Sequence, residues 1–277
     1  MRMTTFGTSL AALLLILAIV VVALLGAEVN RPNASAGVDS PANAYKLSKP
    51  FTHNNLTIYL IHGADTIKNR NILTLQEAMA AKKVRVIETK DVNELAIENL
   101  SQTDDVFVQS GDIVKGGQQD RVLAVDLILP PRSGRIPIAA FCVESGRWSK
   151  RGNEDAAQFN ASDDRIATRD LKVAANSTRS QGDVWKKVGE AQERLSQNVG
   201  GAVNSSVSVS SLQLSLENKQ VREATEAYIK AFLKIVDGQS DVIGYAFAIN
   251  GKMNSADVYA SNALFKKLWP KLLRATA

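Results

Sequence analysis

Polar side chains gather at both ends of the segment Gly116–Trp148, whose middle part is largely apolar. The letters GGQQDR lead into the stretch, and CVESGRW ends it. Arginine suits phosphate and carboxylate because its planar guanidinium donates two parallel hydrogen bonds, and glycine-rich backbone can turn its N–H groups toward an anion. These residue types predict a site for an anionic small molecule, on which an indole ring could stack. The candidate ligand-binding residues in this stretch are Gly116, Gly117, Gln119, Arg121, Arg147 and Trp148.

Two further residues of the same stretch are candidates for catalysis. Glu144 has apolar neighbours, and burial among them would raise the pKa of its carboxyl group into the range of a general acid or base. Cys142 is the only cysteine in the chain and a candidate nucleophile. A cysteine nucleophile usually needs a base, and the only two histidines, His53 and His62, lie far away in sequence. A buried, unreactive thiol is therefore the alternative for Cys142.

A hairpin would bring the two polar ends together. The runs Arg121–Leu129 and Ile136–Glu144 each place apolar side chains at alternate positions, which is typical of strands. A six-residue loop with two prolines and a glycine, Pro130–Arg135, lies between them. Symmetric closure of this loop predicts that Arg121 faces Glu144, as a functional pair or as a structural ion pair at the end of a sheet. The other facing pairs would be Leu129 with Ile136 and Leu123 with Cys142.

A second polar and aromatic cluster, SQGDVW, follows at Ser180–Trp185. Ser180 is a favourable N-cap for a helix from Gln181 to about Gln197. Gln181 and Trp185 then share one face of that helix. Gln181 is therefore an additional ligand-binding candidate, whereas Trp185 is predicted to be a core residue.

The predicted elements change type along the chain. Short strands dominate the first half and helices dominate the second, which predicts an α+β fold with a mainly antiparallel sheet from the N-terminal half. Thr74 and Glu77 form a capping box that begins a short helix. Ser149–Ser180 is predicted to be a polar surface segment, and Ser196–Ser211 a flexible loop or lid. Further strands are predicted at Leu56–Ile61, Val84–Glu88, Leu95–Asn99, Val106–Gln109 and Val242–Ile249, and further helices at Glu217–Val236 and Ser261–Leu273.

The N-terminal segment indicates export. Leu10–Ala27 contains 18 residues without a charge, between the about 7–15 residues of a secretory h-region and the about 20 of a membrane-spanning helix. A membrane anchor and a signal peptide cleaved near Ala27 both fit, and a buried helix of the domain is a third alternative. Glu28–Pro50 is rich in Asn, Ala, Ser and Pro, as linkers are. The predicted organisation is an anchor or signal peptide at 1–27, a linker at 28–50 and a globular domain at 51–277.

Composition limits the classes of partner and cofactor. The 33 Lys and Arg residues against 28 Asp and Glu give a net charge of +5, with no basic run that alternates with aromatic residues. Nucleic acid is therefore not an expected partner. The sequence has no metal-ligand spacing, no P-loop, no G-x-S-x-G and no G-x-G-x-x-G. No metal is expected, and the residues indicate no particular cofactor. Asp104-Asp105 and Asp163-Asp164 are interpreted as solvated turns.

The quoted motifs resemble one family. SGDIVKGGQQDRVL, IPIAAFCVESGRW, SQGDVW and the C-terminal VIGYAFAINGK with DVYASNALFKKLWPKLL are similar in order and spacing to the ARPP-1 family, from roughly Leu56 to the C-terminus. The family name associates it with ADP-ribosylglycohydrolases and the rhodanese-phosphatase superfamily. The resemblance implies a link to nucleotide, ADP-ribose or phosphoester chemistry and no particular reaction. Gln118 stands where such sequences often have lysine, which would weaken anion binding.

These features support two classes of function. The leading hypothesis is an exported, membrane-anchored α+β domain that binds an anionic small molecule at the open end of the hairpin, and hydrolysis or transfer of that molecule stays open. The alternative is a non-catalytic interaction or scaffold protein of the cell envelope, whose motifs are structural. A redox-sensing thiol at Cys142 is a third reading.

Overall fold

Fourteen strands in three sheets are present in the described residues, 45–67, 70–166 and 169–277, of a computed structural model. The strands lie mainly in the N-terminal half and the helices mainly in the C-terminal half, so the predicted α+β class is confirmed. The strands are β1 Lys46–Leu47, β2 Phe51–His53, β3 Leu56–His62, β4 Ile72–Thr74, β5 Val84–Glu88, β6 Glu94–Asn99, β7 Asp105–Val108, β8 Asp112–Gly116, β9 Arg121–Leu123, β10 Leu127–Leu129, β11 Gly134–Cys142, β12 Phe159–Arg165, β13 Val242–Ile249 and β14 Lys252–Val258.

Six α-helices accompany these strands in the same ranges, with a π-helical turn and a 3₁₀ turn at the ends of two of them. Several begin at a side-chain cap, as their sequences predict. Thr74 Oγ1 accepts from Glu77 N at 3.1 Å, and Glu77 Oε2 accepts from Thr74 N at 2.8 Å, which completes the predicted capping box. The helices are α1 Leu75–Ala80, α2 Arg169–Val173, α3 Gln181–Val199, α4 Leu212–Leu216, α5 Lys219–Phe232 and α6 Asn262–Thr276; the turns are Ala174–Thr178 and Leu233–Val236.

The sheets have different partners. The largest has the order β12-β8-β9-β11-β6-β5, and β10-β7-β4 form a smaller sheet. In the third, the order is β1-β3-β13-β14, with β2 also on β3. β13 is buried along most of its length because β3 and β14 flank it and the aromatic side of α6 packs on it. Tyr245 meets Trp269 edge-on with ring centroids 5.4 Å apart, an arrangement that adds about 0.5–1.5 kcal/mol beyond the buried area.

The predicted hairpin register is wrong. Cys142 pairs with Arg121, and Ala140 pairs with Leu123, two residues away from the predicted alignment. The physical reason is that β11 is shared: its first six residues pair with β6, and only its last three pair with β9. The run Arg121–Leu129 is also divided, because β10 pairs with β7 in another sheet. The connecting loop therefore joins strands of two sheets, and it is residues 130–133 rather than Pro130–Arg135, because Gly134 and Arg135 already belong to β11.

The segment Ser149–Ser180 is not a surface excursion. It contains β12, which pairs with β8 at the edge of the largest sheet, and α2. Its few apolar side chains, among them Phe159 and Leu171, are buried in two separate cores. The low density of apolar residues in this segment suggested an exposed segment, but the spacing of these residues decides whether they are buried.

The globular unit contains its own cores. It runs from Pro41 to Ala277, and three clusters of buried side chains lie inside it. A fragment of residues 41–277 therefore has the apolar cores that a domain needs to fold. β1 precedes Phe51 and pairs with β3, so a fragment that starts at Phe51 lacks one strand.

The predicted anchor or signal peptide, Leu10–Ala27, lies outside the described residues. Across residues 45–67, 70–166 and 169–277, no helix combines the length and apolarity that crossing a membrane requires.

Candidate functional site

Arg121 is fully buried, and its partner is Glu88 rather than Glu144. Arg121 is the first residue of β9, and its Nη2 lies 3.2 Å from Glu88 Oε1 at the end of β5. Nη1 donates to the carbonyl of Val92 at 2.5 Å. The ring of Trp148 covers the guanidinium at 5.3 Å, a cation–π contact. Trp148 is 46% exposed, so only part of its surface is used by Arg121.

Glu144 is fully buried and accepts two hydrogen bonds from Arg147. Arg147 Nε donates to Oε1 at 2.7 Å, and Nη2 donates to Oε2 at 2.6 Å. Asp120 N also donates to Oε2, at 3.3 Å. Burial alone would raise the pKa of Glu144, but the hydrogen bonds from Arg147 and Ser208 outweigh it and hold that pKa below its usual value. The expectation of a raised pKa at Glu144 is therefore wrong.

The Cys142 thiol is buried, with Arg121, Glu88 and Glu144 near enough for their charges to act on it. Its side chain is fully buried, and burial raises the pKa of the thiol to about 11. Its Sγ is 3.9 Å from the Val92 carbonyl. The two histidines are engaged elsewhere: His62 Nδ1 lies 2.9 Å from Asp241, and His53 packs edge-on against Tyr228. This environment favours the unreactive thiol.

The N–H groups of the glycine turn donate to groups of the chain itself, two carboxylates and a main-chain carbonyl. Gly116 N donates to Asp120 Oδ1 at 3.1 Å, and Gly117 N donates to the Asp155 carbonyl at 3.0 Å. Gln118 N donates to Glu88 Oε2 at 3.2 Å. Both glycines have positive φ, which glycine adopts without steric cost. The anion that this loop holds is therefore an intramolecular one, and the neighbouring Gln119 is buried beside it.

Asp120 and Arg151 complete the cluster, and sequence reasoning missed both. The fully buried Asp120 accepts from Arg151 Nη1 at 2.8 Å and from Nη2 at 3.1 Å. Ser211 Oγ donates to the same carboxylate at 3.0 Å. Burial alone would lower the pKa of Arg151, but the hydrogen bonds and charges of Asp120 and Glu154 raise it above its usual value. Asp120 stood inside the GGQQDR motif, whereas the polar segment around Arg151 carried no signal.

Gln181 fixes the end of β11 to α3. Its Oε1 accepts from Cys142 N and its Nε2 donates to Cys142 O, both at 2.8 Å, so the amide continues the strand's hydrogen-bond ladder. Trp185 Nε1 donates to the Glu144 carbonyl at 3.2 Å. Trp185 is 39% exposed, so its prediction as a core residue is wrong.

We call these groups the buried ion-pair cluster. Each of its three arginines faces a carboxylate, and Arg151 faces three, so the site has no surplus positive charge for an external anion. Breaking one partner of such a pair costs far more than the intact pair contributes, which is how a cluster of this kind fixes a local structure. The cluster contains Arg121, Arg147, Arg151, Glu88, Asp120, Glu144 and Glu154.

A cavity of about 420 Å³ lies elsewhere, between β12, β13 and helices α2 to α6. This volume falls in the range of about 300–1,000 Å³ that small-molecule sites occupy. Much of its wall is apolar, and five arginines line it; we call it the arginine-lined cavity. Its apolar wall includes Ile166, Leu171, Leu212, Leu216, Val221 and Phe247, and its arginines are Arg165, Arg169, Arg194, Arg222 and Arg274.

Positive charge is in excess around this cavity. Only two carboxylate side chains, Asp164 and Asp170, line it among the described residues. Arg222 Nη2 lies 3.4 Å from Asp164 Oδ2, and Arg165 is paired with Asp257 outside the wall. Within residues 45–67, 70–166 and 169–277, the other three arginines, Arg169, Arg194 and Arg274, form no ion pair.

Asp164 is buried at this wall and not in a solvated turn, because β12 carries it inward. Its Oδ2 accepts from Gln213 Nε2 at 3.1 Å. Burial raises the pKa of Asp164, and Arg222, Gln213 and Arg274 only partly offset that effect. Two other lining residues, Arg165 and Asn254, each have a buried polar atom without a hydrogen-bond partner in the part of the chain that the structure describes.

Comparison with known proteins gives one family. The sequence model described as ARPP-1, the ARG and Rhodanese-Phosphatase-superfamily-associated Protein domain, matches residues 44–277. No curated protein and no solved structure matches the chain. The match begins two residues before β1 and includes the buried ion-pair cluster and the arginine-lined cavity.

Proposed function

The chain belongs to the ARPP-1 family, and we propose that its domain binds a small organic anion in the arginine-lined cavity. The observation that carries this proposal is the charge of the wall: five arginines against two carboxylate side chains around about 420 Å³. Concave sites with an apolar wall and a few convergent polar groups are the usual form of small-molecule sites. Arginine is the side chain best suited to hold a carboxylate or phosphate there.

The cavity is a better anion site than the buried ion-pair cluster. In the cluster, the charges of Arg121, Arg147 and Arg151 are already compensated by carboxylates. At the cavity, Arg194 and Arg274 have no such partner in the described ranges. An anion entering the cavity would gain charge-assisted hydrogen bonds without displacing a carboxylate from either arginine. The cluster then has a structural role, and catalysis by Glu144 or Cys142 is not part of the proposal.

The family description widens the set of ligands to be tested. Its association with the rhodanese-phosphatase superfamily supports phosphate-containing candidates such as nucleotides, ADP-ribose and phosphoesters. These molecules are anionic, as the charge of the wall requires. They belong in the same screen as simple carboxylates and sulfonates.

Fluorescence titration of residues 41–277 with 8-anilinonaphthalene-1-sulfonate tests the proposal. We expect saturable binding with one site per chain, because this dye combines a fixed negative charge with an apolar body. Arg274→Gln should weaken binding by at least about tenfold, since one charge-assisted hydrogen bond is worth about 1.5–3 kcal/mol. Arg85→Gln is the matched control, because Arg85 lies on β5 in an exposed ion pair outside the cavity wall.

A cavity-filling variant gives the second arm. Ala191→Phe on α3 adds a ring to the wall and should abolish binding, whereas Ala227→Phe on the exposed side of α5 should leave it unchanged. A thermal-shift screen with phosphate, nucleotides and carboxylates extends the ligand range. If no anion shifts the melting temperature and Ala191→Phe binds the dye like the unchanged protein, the proposal fails.

We also propose that the domain is exported, on the strength of the 18 uncharged residues Leu10–Ala27. Alkaline phosphatase fused after Pro50 should be active, since the reporter folds only in an oxidising compartment. Deletion of residues 4–27 should abolish that activity. The mass of the purified full chain then separates the alternatives: an intact N-terminus indicates an anchor, and loss of residues 1–27 indicates a signal peptide. Equal reporter activity with and without residues 4–27 would contradict export.

A further inference from the structure

We infer that the ligand of the arginine-lined cavity is an aliphatic acid, a hydrocarbon chain that ends in one carboxylate. The inference rests on the proposed function and names the ligand class. It follows from the kind of apolar side chain in the wall, from the elements that supply it, and from the position on which two of the arginines act.

The apolar wall is aliphatic. Phe247 is the only aromatic side chain among the described lining residues, and it is already stacked on Tyr245, with centroids 5.9 Å apart. Sites for nucleotide bases use aromatic side chains as stacking platforms. Leucine, isoleucine and valine instead contact a hydrocarbon chain by dispersion and exclusion of water. The wall therefore suits an alkyl body better than a purine.

Two elements, α4 and β13, each contribute a pair of neighbouring apolar side chains to the wall. Leu212 and Leu216 are four residues apart on α4, so they share one face of that helix. Phe247 and Ile249 are two residues apart on β13, so they share one face of that strand. All four line the cavity. An elongated apolar body can lie between the two faces.

Two of the arginines act on one position of the wall. Arg222 on α5 lies 3.4 Å from Asp164 Oδ2, and Arg274 on α6 acts on the same carboxylate. Asp164 shows that a carboxylate at this position pairs with Arg222 and feels the charge of Arg274, which forms no ion pair with it in the described ranges. A ligand carboxylate beside Asp164 would meet the same two guanidinium groups, with Arg194 as a third cation on the wall. A single anionic head group at this end and a chain toward α4 and β13 fit this arrangement.

Binding of straight-chain acids to residues 41–277 tests the inference by calorimetry or by displacement of the dye. Hexanoate, octanoate and decanoate should bind with increasing affinity, by roughly fourfold per methylene, because each buried CH₂ is worth about 0.8 kcal/mol. Decanol should bind at least about tenfold more weakly than decanoate, since it lacks the charged head group. Acetate and ADP are the probes for head group alone and for a nucleotide.

Variants assign the two ends of the ligand. Arg222→Gln and Arg274→Gln should reduce the preference for decanoate over decanol about tenfold. Leu216→Ala should flatten the dependence on chain length while keeping that preference. Leu233→Ala, at a half-exposed leucine outside the wall, is the matched control for the loss of an aliphatic side chain. Circular dichroism confirms that each variant is folded before it is titrated.

The outcomes separate this inference from the proposed function. If ADP or the dye binds at the cavity and decanoate binds no better than acetate, the aliphatic acid is wrong and the anion site stands. If decanol binds as tightly as decanoate, the head-group assignment is wrong. If no probe binds and Ala191→Phe behaves like the unchanged protein, both the inference and the proposed function fail.

Discussion

At the scale of single residues, Asp120 stabilises the molecule through several neighbours. It is fully buried and accepts from Arg151, Ser211 and Gly116. Asp120→Ala leaves Arg151 without this charge, which is expected to lower the free energy of unfolding by about 3–5 kcal/mol. Denaturant unfolding followed by tryptophan fluorescence measures it.

The control for Asp120 is an exposed ion pair of the same sheet. Glu98 faces Arg85 across β5 and β6 at 2.7 Å, with both side chains partly in solvent. Glu98→Ala should change the free energy of unfolding by no more than about 1 kcal/mol. Equal losses for the two variants would show that burial of the cluster adds no stability.

The Cys142 thiol should be unreactive in the folded protein. Burial raises its pKa from 9.0 to about 11, so the reactive thiolate is about a hundredfold scarcer at pH 8 than for an ordinary cysteine. Incubation with 5,5′-dithiobis(2-nitrobenzoic acid) should label one thiol per chain in denaturant and almost none without it. Rapid labelling of the native protein would restore the redox-sensing reading of Cys142.

The residues of the buried ion-pair cluster were easier to predict from the sequence than the partners with which they form ion pairs. The motifs identified Arg121, Glu144 and Arg147, and all three belong to the buried ion-pair cluster. Glu88 is 33 positions before Arg121, and only the pairing of β5, β6, β11 and β9 brings them together. The sign of the Glu144 pKa failed for the same reason: apolar neighbours in sequence indicate burial, but the nearby arginine decides the charge state.

At the scale of elements, the bounds of single strands were predicted accurately, but the pairing between strands was not. The bounds predicted for Val84–Glu88 and Val242–Ile249 are those of β5 and β13, since each strand has its own apolar pattern and turn residues. The hairpin failed because the alternation along Gly134–Cys142 is the same whichever strand lies beside it. Long-range competition between β6 and β9 for β11 leaves no trace in a local pattern.

Gly117 should be the glycine most sensitive to substitution in the GGQQDR turn. A Cβ at Gly117 would overlap the ring of Phe159, and the position also has a positive φ of 58°. Gly134 has a similar φ of 65° and open space around it. Gly134→Ala should cost about 1–2 kcal/mol for the backbone alone, and Gly117→Ala about 1–3 kcal/mol more for overpacking.

Thermal and denaturant unfolding of the two glycine variants measures this difference. Because both substitutions carry the same backbone cost, their difference isolates the contact with Phe159. Phe159→Leu combined with Gly117→Ala should recover part of the loss. Equal stabilities for the two single variants would mean that Phe159 moves aside freely and does not fix the turn.

At the scale of the whole molecule, α4 connects the two sites. Ser211 caps α4 and donates to Asp120 in the buried ion-pair cluster. Two residues later, Gln213 donates to Asp164 at the arginine-lined cavity. Leu212, between them, donates its backbone N–H to Val143 and places its side chain in the cavity wall. The cluster therefore positions the helix that forms one wall of the cavity.

Asp164 makes anion binding at this wall depend on pH. Arg222, Arg274, Gln213 and Glu217 act on its carboxyl group, and burial raises its pKa above the usual value. An ionised Asp164 repels a ligand anion and competes for Arg222. Protonation removes both effects, so affinity should rise as pH falls toward the raised pKa.

The raised pKa of Asp164 also makes the stability of the fold depend on pH. An aspartate with a raised pKa in the folded state contributes stability that is present below its unfolded pKa of 3.8 and is lost as pH rises through the folded value.

Asp164→Asn mimics the protonated form, so at neutral pH it should bind the anion more tightly and be no less stable. Titration with 8-anilinonaphthalene-1-sulfonate across pH 4 to 8 measures the affinity, because the sulfonate stays ionised throughout. Asp163→Asn, at the exposed neighbouring carboxylate, is the control. If Asp164→Asn keeps the pH dependence of the unchanged protein, another group of the wall is the one that titrates.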